Sequence, residues 1–270
     1  MRWIRGSFRF IAVTAGIIVL TALGVDATQY FSGSQSALGI LATKSIEGGC
    51  PDGMTKLDLS EGSICIDTFE VSVGNSCKIT QPSTALETKE NINSAACLPE
   101  SKPEALPWTS VTYLQAKELC AKRGMRLPNN HEWFEAALGT PDNTRDCSLN
   151  GELDESGVNK ACVSSRGVFD MIGNVWEWVD GEVKDGDYNS RQLPEEGYVA
   201  ETDGQGVALT TTSTPQKLFD DDYFWSESNG VYAMMRGGFY GSNTDGGDSS
   251  VHAAVTPSFS GPAIGFRCVQ

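Results

Sequence analysis

The chain has 270 residues, with 20 basic and 35 acidic side chains and a formal net charge of −15. This balance argues against binding to the phosphate backbone of nucleic acids, because no basic face compensates it. An apolar content of 40%, with 9% aromatic residues, excludes a disordered or fibrous chain. The 29 glycines and 11 prolines indicate many turns and a loop-rich fold.

The N-terminus has the pattern of an export signal. Arg2, Arg5 and Arg9 precede an apolar run over residues 10–25, which is the order of a signal segment. The run is shorter than the ~20 apolar residues of a typical spanning helix. Residues 1–27 are therefore expected to be either a cleaved signal peptide or a retained inner-membrane anchor, with a flexible tether over residues 28–49. Both alternatives place the rest in the periplasm or at the surface of a bacterial-type cell.

All eight cysteines follow residue 49. An even number of cysteines in an exported chain indicates a disulfide framework, although composition alone does not choose the pairs. No C-x-x-C motif is present and the two histidines are isolated, which argues against a zinc site.

Taken in chain order, the first half predicts a strand, a loop and two helices. Residues 63–71 alternate as a strand does, and residues 76–105 are polar enough to indicate a loop. A helix is predicted over residues 109–123, capped by Thr109 or Ser110 and ended by Gly124. A second helix starts at Asn129, which can form a capping box with Glu132.

The second half predicts loops enclosed by closing strands. Residues 140–166 indicate a polar loop, and residues 181–230 are acidic enough to indicate a long surface insertion. Residues 231–239 and 263–269 resemble closing strands.

Four segments occur in an order that is specific as a set. They are Pro-Trp-Thr-Ser-Val at 107–111, Arg-Leu-Pro-Asn-Asn-His-Glu-Trp at 126–133, Gly-Asn-Val-Trp-Glu-Trp at 173–178, and Arg-Gly-Gly at 236–238 followed by Gly-Phe-Arg-Cys at 265–268. Together they resemble the formylglycine-generating-enzyme (sulfatase-modifying factor) family over residues 50–270. The resemblance implies an α+β, C-type-lectin-like fold that is loop-rich and disulfide-stapled, with two helices and short antiparallel sheets.

The resemblance also implies one disulfide, between Cys120 on the first helix and Cys268 on the last strand. The remaining cysteines most simply pair with their neighbours along the chain. This predicts the pairs Cys50–Cys65, Cys77–Cys97 and Cys147–Cys162.

A calcium site is expected within one short segment. Calcium takes six to eight oxygen ligands and mixes carboxylates with backbone carbonyls. Asp170 and Glu177 offer carboxylates, Gly173 and Val175 offer carbonyls, and the resemblance implies a calcium site at these offsets. The alternative is that Asp170 caps a turn and Glu177 is simply exposed. A second, looser candidate uses Asn150, Asp154 and Asn159.

The resemblance would further imply a copper-dependent oxidase that converts a sulfatase cysteine to formylglycine. Soft thiolates suit Cu(I), but the positions that match the family's cysteine pair are Ser242 and Gly247. We therefore expect no catalytic residues and no copper. The alternative enzyme, a metal-dependent oxidase of the same superfamily using iron, would need a carboxylate with His131 and His252.

The C-terminal loop has the composition of a binding surface, since Tyr, Ser, Gly and Asn give adaptable contacts and aromatic residues anchor them. Similar segments are diversified by retroelements in some proteins of this fold, and an ordinary packed loop is the other interpretation. The expected function is calcium-supported binding of a glycan, peptide or surface protein, with a structural role in a surface assembly as a third alternative. The expected contact residues are Phe239, Tyr240, Asn243, Asp245, Asp248 and His252.

Overall fold

Short strands and three helices alternate with long loops in the computed structural model, which describes residues 49–270. The predicted signal segment (1–27) and nearly all of the predicted tether (28–49) lie outside the described residues. Residues 50–270 form one compact unit. Within residues 49–270, no helix is long and apolar enough to cross a membrane.

The first strands form two small sheets. Strands β1 (Met54–Leu59) and β2 (Gly62–Asp67) make an antiparallel hairpin. Strands β3 (Val71–Val73) and β4 (Pro99–Ser101) pair antiparallel across the intervening segment. The predicted strand at 63–71 is therefore divided between β2 and β3.

Helix α1 (Ala85–Asn93) lies where the sequence predicted only a loop, so that prediction for residues 76–105 is wrong. Thr84 caps the helix by accepting from the backbone N–H of Glu87. Its buried side includes two polar residues, Thr88 and Asn91, whose side chains donate to backbone carbonyls of neighbouring loops. The helix carries no apolar stripe, and the periodicity that reveals most helices is therefore missing.

Helices α2 (Tyr113–Lys122) and α3 (Asn130–Ala137) are the two that the sequence predicted. Thr112, not Thr109 or Ser110, caps α2 and forms a capping box with Gln115. The capping box predicted for α3 is confirmed, with the Glu132 backbone donating to Asn129 at 2.9 Å and the Asn129 backbone donating to Glu132 at 2.9 Å.

A nine-stranded mixed sheet organises the remainder. Its strands, in chain order, are β5 (Trp176–Lys184), β6 (Asp187–Tyr188), β7 (Arg191–Gln192), β8 (Gly197–Thr202), β9 (Ala208–Thr212), β10 (Tyr223–Ser226), β11 (Val231–Arg236), β12 (Val251–Val255) and β13 (Ile264–Phe266). The order across the sheet is β7-β6-β5-β11-β12-β10-β8-β9, and β13 also pairs with β5. Most neighbours are antiparallel, but β10–β12 and β5–β13 are parallel.

The prediction that residues 181–230 form a surface insertion is wrong. This segment contributes the last four residues of β5 and all of β6 to β10. Its apolar residues Val183, Val199 and Phe224 are fully buried in the core. The acidic side chains dominate its composition because the intervening turns and strand edges are exposed.

The main sheet separates two apolar clusters. Trp133 of α3 packs with Val179 and Met234 on one face. Leu119 of α2 packs with Trp178 and Phe266 on the other. This follows from the alternation along β5, since successive side chains of a strand point to opposite faces.

All four predicted disulfides form. Cys120 pairs with Cys268, and the three local pairs are Cys50–Cys65, Cys77–Cys97 and Cys147–Cys162. No cysteine is free. Four disulfides indicate an oxidising compartment, because such bonds persist in exported proteins and rarely in the cytosol.

Candidate ligand cavity and metal turn

A cavity of about 330 Å³ opens where β5, β10 and β12 meet the loop after β11. We call it the aromatic cavity. Its lining residues are Trp176, Trp225, Phe239, Gly241, Ser242, Asn243, Asp245 and His252.

Three rings form the wall of this cavity. Trp225 and His252 are register partners in the parallel pair β10–β12, and their rings stack with centroids 5.3 Å apart. Trp176 meets both rings edge-on, at 5.5 Å and 5.9 Å. Burial lowers the pKa of His252 to about 4, so its imidazole is neutral at physiological pH and cannot supply a positive charge.

Four of the six predicted contact residues line the aromatic cavity: Phe239, Asn243, Asp245 and His252. Tyr240 does not, and faces a neighbouring cavity of about 300 Å³ beside Pro107 and Leu153. Asp248 does not either, and its backbone carbonyl accepts from the Arg236 guanidinium at 2.6 Å.

Trp176 and Trp225 are cavity residues that the sequence analysis did not name as contacts. Trp225 lies in the segment that was interpreted as an insertion, and its pairing with β12 is long-range. Trp176 lies in the Gly-Asn-Val-Trp-Glu-Trp segment, and it packs in the same apolar cluster as Trp178.

The two histidines lie in different cavities. His131 lines a polar cavity of about 700 Å³ with Asp180 and Glu182, whereas His252 lines the aromatic cavity. In residues 49–270, no three His, Cys, Asp or Glu side chains are arranged to hold a metal ion. Among the described residues, the two histidines and a carboxylate therefore do not form the facial triad that the iron alternative needs.

Residues 170–177, here called the metal turn, bring the predicted calcium ligands into one buried segment. Asp170 has a positive φ of 54° and accepts from the backbone N–H of Gly157 at 2.6 Å. Glu177 is 1% exposed, so the interpretation of Glu177 as a simply exposed side chain is wrong. It accepts from the Arg267 guanidinium and from the indole N–H of Trp133 at 2.7 Å.

Glu70 completes this acidic cluster, and the sequence analysis missed it. Its Oε2 accepts from the Ser156 hydroxyl at 2.7 Å and the Asn174 amide at 2.6 Å. Its Oε1 is buried without a hydrogen-bond partner. Burial, and then the charges of Asp170 and Glu177, raise the pKa of Glu70 well above its usual range. No sequence signal pairs Glu70 with a segment a hundred residues away.

The negative charge around the metal turn would be compensated by a divalent cation, although the carboxylates of Asp170 and Glu177 already accept hydrogen bonds from protein groups. Glu70, Asp170 and Glu177 carry three potential negative charges, while Arg267 supplies one positive charge. Burial raises the pKa of Asp170 to about 6. Buried charges need a compensating partner, and a calcium ion or a proton on Glu70 would each provide one.

The looser second candidate is only partly assembled. The Ser148 hydroxyl and the Asn159 amide donate to Asp154 Oδ2 at 2.5 Å and 3.2 Å. Asn150 is exposed.

Comparison with known proteins adds one decisive observation. Residues 62–270 match the sulfatase-modifying factor enzyme 1-like domain. The chain belongs to the sulfatase-modifying factor family. The C-type-lectin-like fold expected from the resemblance is therefore confirmed.

Two curated relatives with the same name match part of the chain. The chain is 29% identical over 143 residues to "Inactive C-alpha-formylglycine-generating enzyme 2" of Bos taurus, covering 43% of this chain and 48% of the relative. It is 27% identical over 144 residues to the Mus musculus protein of the same name, covering 43% and 47%. The chain thus spans about half the length of the curated relatives it matches. Among solved structures, the Major Tropism Determinant P3c variant is similar with a TM-score of 0.48 and 18% identity, over 82% of this chain and 53% of that one.

The family's cysteine-pair positions hold no thiol in this member. Ser242 is buried, and its hydroxyl accepts from the backbone N–H of Phe239 at 3.0 Å. A β-carbon added to Gly247 would overlap a carboxylate oxygen of Asp222 and one of Asp142. Position 247 therefore has no space for a cysteine unless those aspartates move.

Proposed function

We propose that this sulfatase-modifying factor domain is a non-catalytic recognition module that binds a glycan, peptide or protein ligand at the cell surface, supported by calcium. The observation that carries the proposal is the aromatic cavity, which is lined by Ser242, one of the two positions matched to the family's cysteine pair, and presents rings and polar groups instead of a thiol. The four disulfides support an exported location.

The cysteine chemistry supports the proposed absence of a formylglycine-generating activity. Cu(I) requires soft ligands such as thiolates, and all eight cysteines of the sequence are paired in disulfides. Ser242 offers a hydroxyl and Gly247 offers no side chain. The two mammalian relatives carry the word "inactive" in their names, which is consistent with a family branch that has lost this reaction.

The chemistry of the aromatic cavity favours recognition of a neutral or partly cationic surface. Trp225 and Trp176 give flat apolar contacts, and aromatic side chains anchor ligands at a low entropic cost. Asn243 and Asp245 at the rim add hydrogen-bonding groups. Since His252 is neutral, Asp245 is the charged group that lines this cavity.

Calcium would act on the ligand cavity through the metal turn. Asp170, the carbonyls of Gly173 and Val175, and Glu177 would hold the ion, and the carboxyl group of Glu70, whose Oε1 has no hydrogen-bond partner, would interact with it electrostatically from nearby. Calcium bound here would neutralise the buried negative charge. Val175 and Glu177 flank Trp176, so the ion would also fix the ring that closes the aromatic cavity.

The test is ligand capture by the purified full-length chain on an array of immobilised glycans and surface peptides. We expect binding in calcium that EGTA weakens and that Trp225→Ala abolishes. Leu218→Ala is the matched control, because Leu218 is 85% exposed and does not line the aromatic cavity. Equal binding by the wild type and Trp225→Ala would disprove the assignment of the cavity, and equal binding in EGTA would disprove the role of calcium.

A further inference from the structure

A second acidic cluster surrounds Gly247, which does not line the aromatic cavity. Asp142 comes from the loop after α3, Asp222 lies directly before β10, and Asp248 follows Gly247. Asp220 is close enough to interact electrostatically with Asp142 and Asp248. We call these four residues the Gly247 cluster. None of them belongs to the metal turn.

Two carboxylate oxygens of this cluster converge on one point. Asp222 Oδ1 and Asp142 Oδ2 would both overlap the same β-carbon if one were added to Gly247. Asp222 is 1% exposed, and Oδ1 has no hydrogen-bond partner, while Oδ2 accepts from the backbone N–H of Ser249 at 2.8 Å. Buried polar atoms are almost always satisfied, and an exception calls for an unseen ion, water or proton.

The charge of the cluster is not balanced by nearby side chains. Across residues 49–270, no Lys, Arg or His forms an ion pair with any of the four aspartates. Arg236 is the closest cation in electrostatic terms, but its guanidinium donates to the Asn130 side chain and to backbone carbonyls. Burial, and then Asp220 and Asp248, raise the pKa of Asp142 to about 8. Burial, and then Asp142 and Asp248, raise that of Asp222 well above its usual range.

We propose that Asp142 and Asp222 bind a hard divalent cation of the calcium class beside Gly247. Carboxylate oxygens are the ligands that such cations prefer, and calcium completes its shell with backbone carbonyls and water. Two carboxylates rather than three form the site, in keeping with the lack of a three-residue metal cluster in the described part of the chain. Asp248 contributes negative charge from beside them.

The cation would connect three separate segments, one of which is the loop after β11 that lines the aromatic cavity. Asp142, Asp222 and Gly247 belong to distinct loops, and Ser249 and Ser250 already join the last of these to the start of β10. The Ser250 hydroxyl also donates to the Asp245 carbonyl at 2.6 Å. Asn243 and Asp245 on that loop line the aromatic cavity. A cation bound beside Gly247 would therefore order the loop that carries Asn243 and Asp245, independently of the metal turn.

Calcium titration of the metal-depleted full-length chain by calorimetry at pH 8 tests the proposal. The variants are Asp142→Asn combined with Asp222→Asn, Asp170→Ala in the metal turn, and Glu152→Gln as a control that removes one exposed acid. Circular dichroism checks that each variant is folded, and the single variant Asp142→Asn replaces the double variant if the latter is not.

We expect the double variant to lose one bound calcium relative to the wild type, while Glu152→Gln loses none. The same calcium stoichiometry in the wild type and the double variant would overturn the proposal and leave a shared proton between Asp142 and Asp222. The two sites are told apart by Asp170→Ala. If the wild type binds a single calcium ion and only Asp170→Ala loses it, the site at the Gly247 cluster is refuted. If only the double variant loses it, the site at the metal turn is refuted.

Discussion

Arg267 and Glu177 form an ion pair in which neither side chain reaches solvent. Nη2 of Arg267 lies 2.5 Å from Oε1 of Glu177, and Nε lies 2.7 Å from Oε2. Arg267 also donates to the carbonyls of Asp67 and Phe169, and Trp133 of α3 donates to the same carboxylate. This pair joins the Gly-Phe-Arg-Cys segment to the Gly-Asn-Val-Trp-Glu-Trp segment, which explains physically why the two motifs occur together.

Replacing Arg267 by Met should destabilise the fold strongly. Breaking a buried ion pair leaves an uncompensated charge and costs about 3–5 kcal/mol. Lys56→Met is the matched control, because Lys56 pairs with Asp58 at the surface and exposed pairs contribute about 0–1 kcal/mol. Urea denaturation measures both. A loss for Arg267→Met no larger than that of the control would show that the pair does not hold the core.

Replacing Glu70 by Gln should stabilise the calcium-free protein at pH 8 and weaken its affinity for calcium. The folded-state pKa values of Glu70 and Asp170 are raised, so the folded state keeps protons that the unfolded state releases as pH rises above about 4. The free energy of unfolding therefore falls as pH rises, and for Asp170 this fall extends through a pH of about 6. Urea denaturation in EGTA across this pH range should show a smaller fall in the free energy of unfolding for Glu70→Gln than for the wild type. An equal fall in both proteins would exclude Glu70 as the source of the pH dependence.

His252 should remain neutral to unusually low pH. Burial lowers its pKa to about 4 from a usual value near 6.5. The contribution of the neutral His252 ring to the free energy of unfolding is fully present above pH 6.5. It is lost as pH falls towards 4, by up to about 3 kcal/mol. NMR of the imidazole carbons should give a midpoint near 4, with His131→Gln assigning the two histidines. A midpoint above 6 would mean that the ring is open to solvent.

Removing the Cys120–Cys268 disulfide should cost more than removing a local one. It closes a separation of 148 residues, against 15 for Cys50–Cys65. In the chain-entropy model the long loop is worth about 5 kcal/mol and the short one about 3 kcal/mol. Paired Cys→Ala variants compared by thermal melting measure the order. The reverse order would show that native-state packing, rather than loop closure, decides the effect.

Local signals in the sequence predicted the local structure well. The Asn129–Glu132 capping box depends on four consecutive residues, and it forms as predicted. Helix α1 was missed because Thr88 and Asn91 bury polar groups, which conceals its periodicity. The wall of the aromatic cavity was missed in part because Trp225 reaches His252 through a long-range parallel strand pair. The partners of Glu177 and Glu70 are likewise distant in sequence, and no local pattern encodes such contacts.

Turnover is the measurement that tests the proposed loss of catalysis most directly. The purified full-length chain would be loaded with Cu(I), mixed with a cysteine-containing sulfatase-type peptide in air, and analysed by mass spectrometry, beside an active formylglycine-generating enzyme as the positive control. We predict unchanged peptide, because Ser242 and Gly247 offer no thiolate and every cysteine is held in a disulfide. Formylglycine in the product would contradict this and show that the domain is an oxidase with different copper ligands.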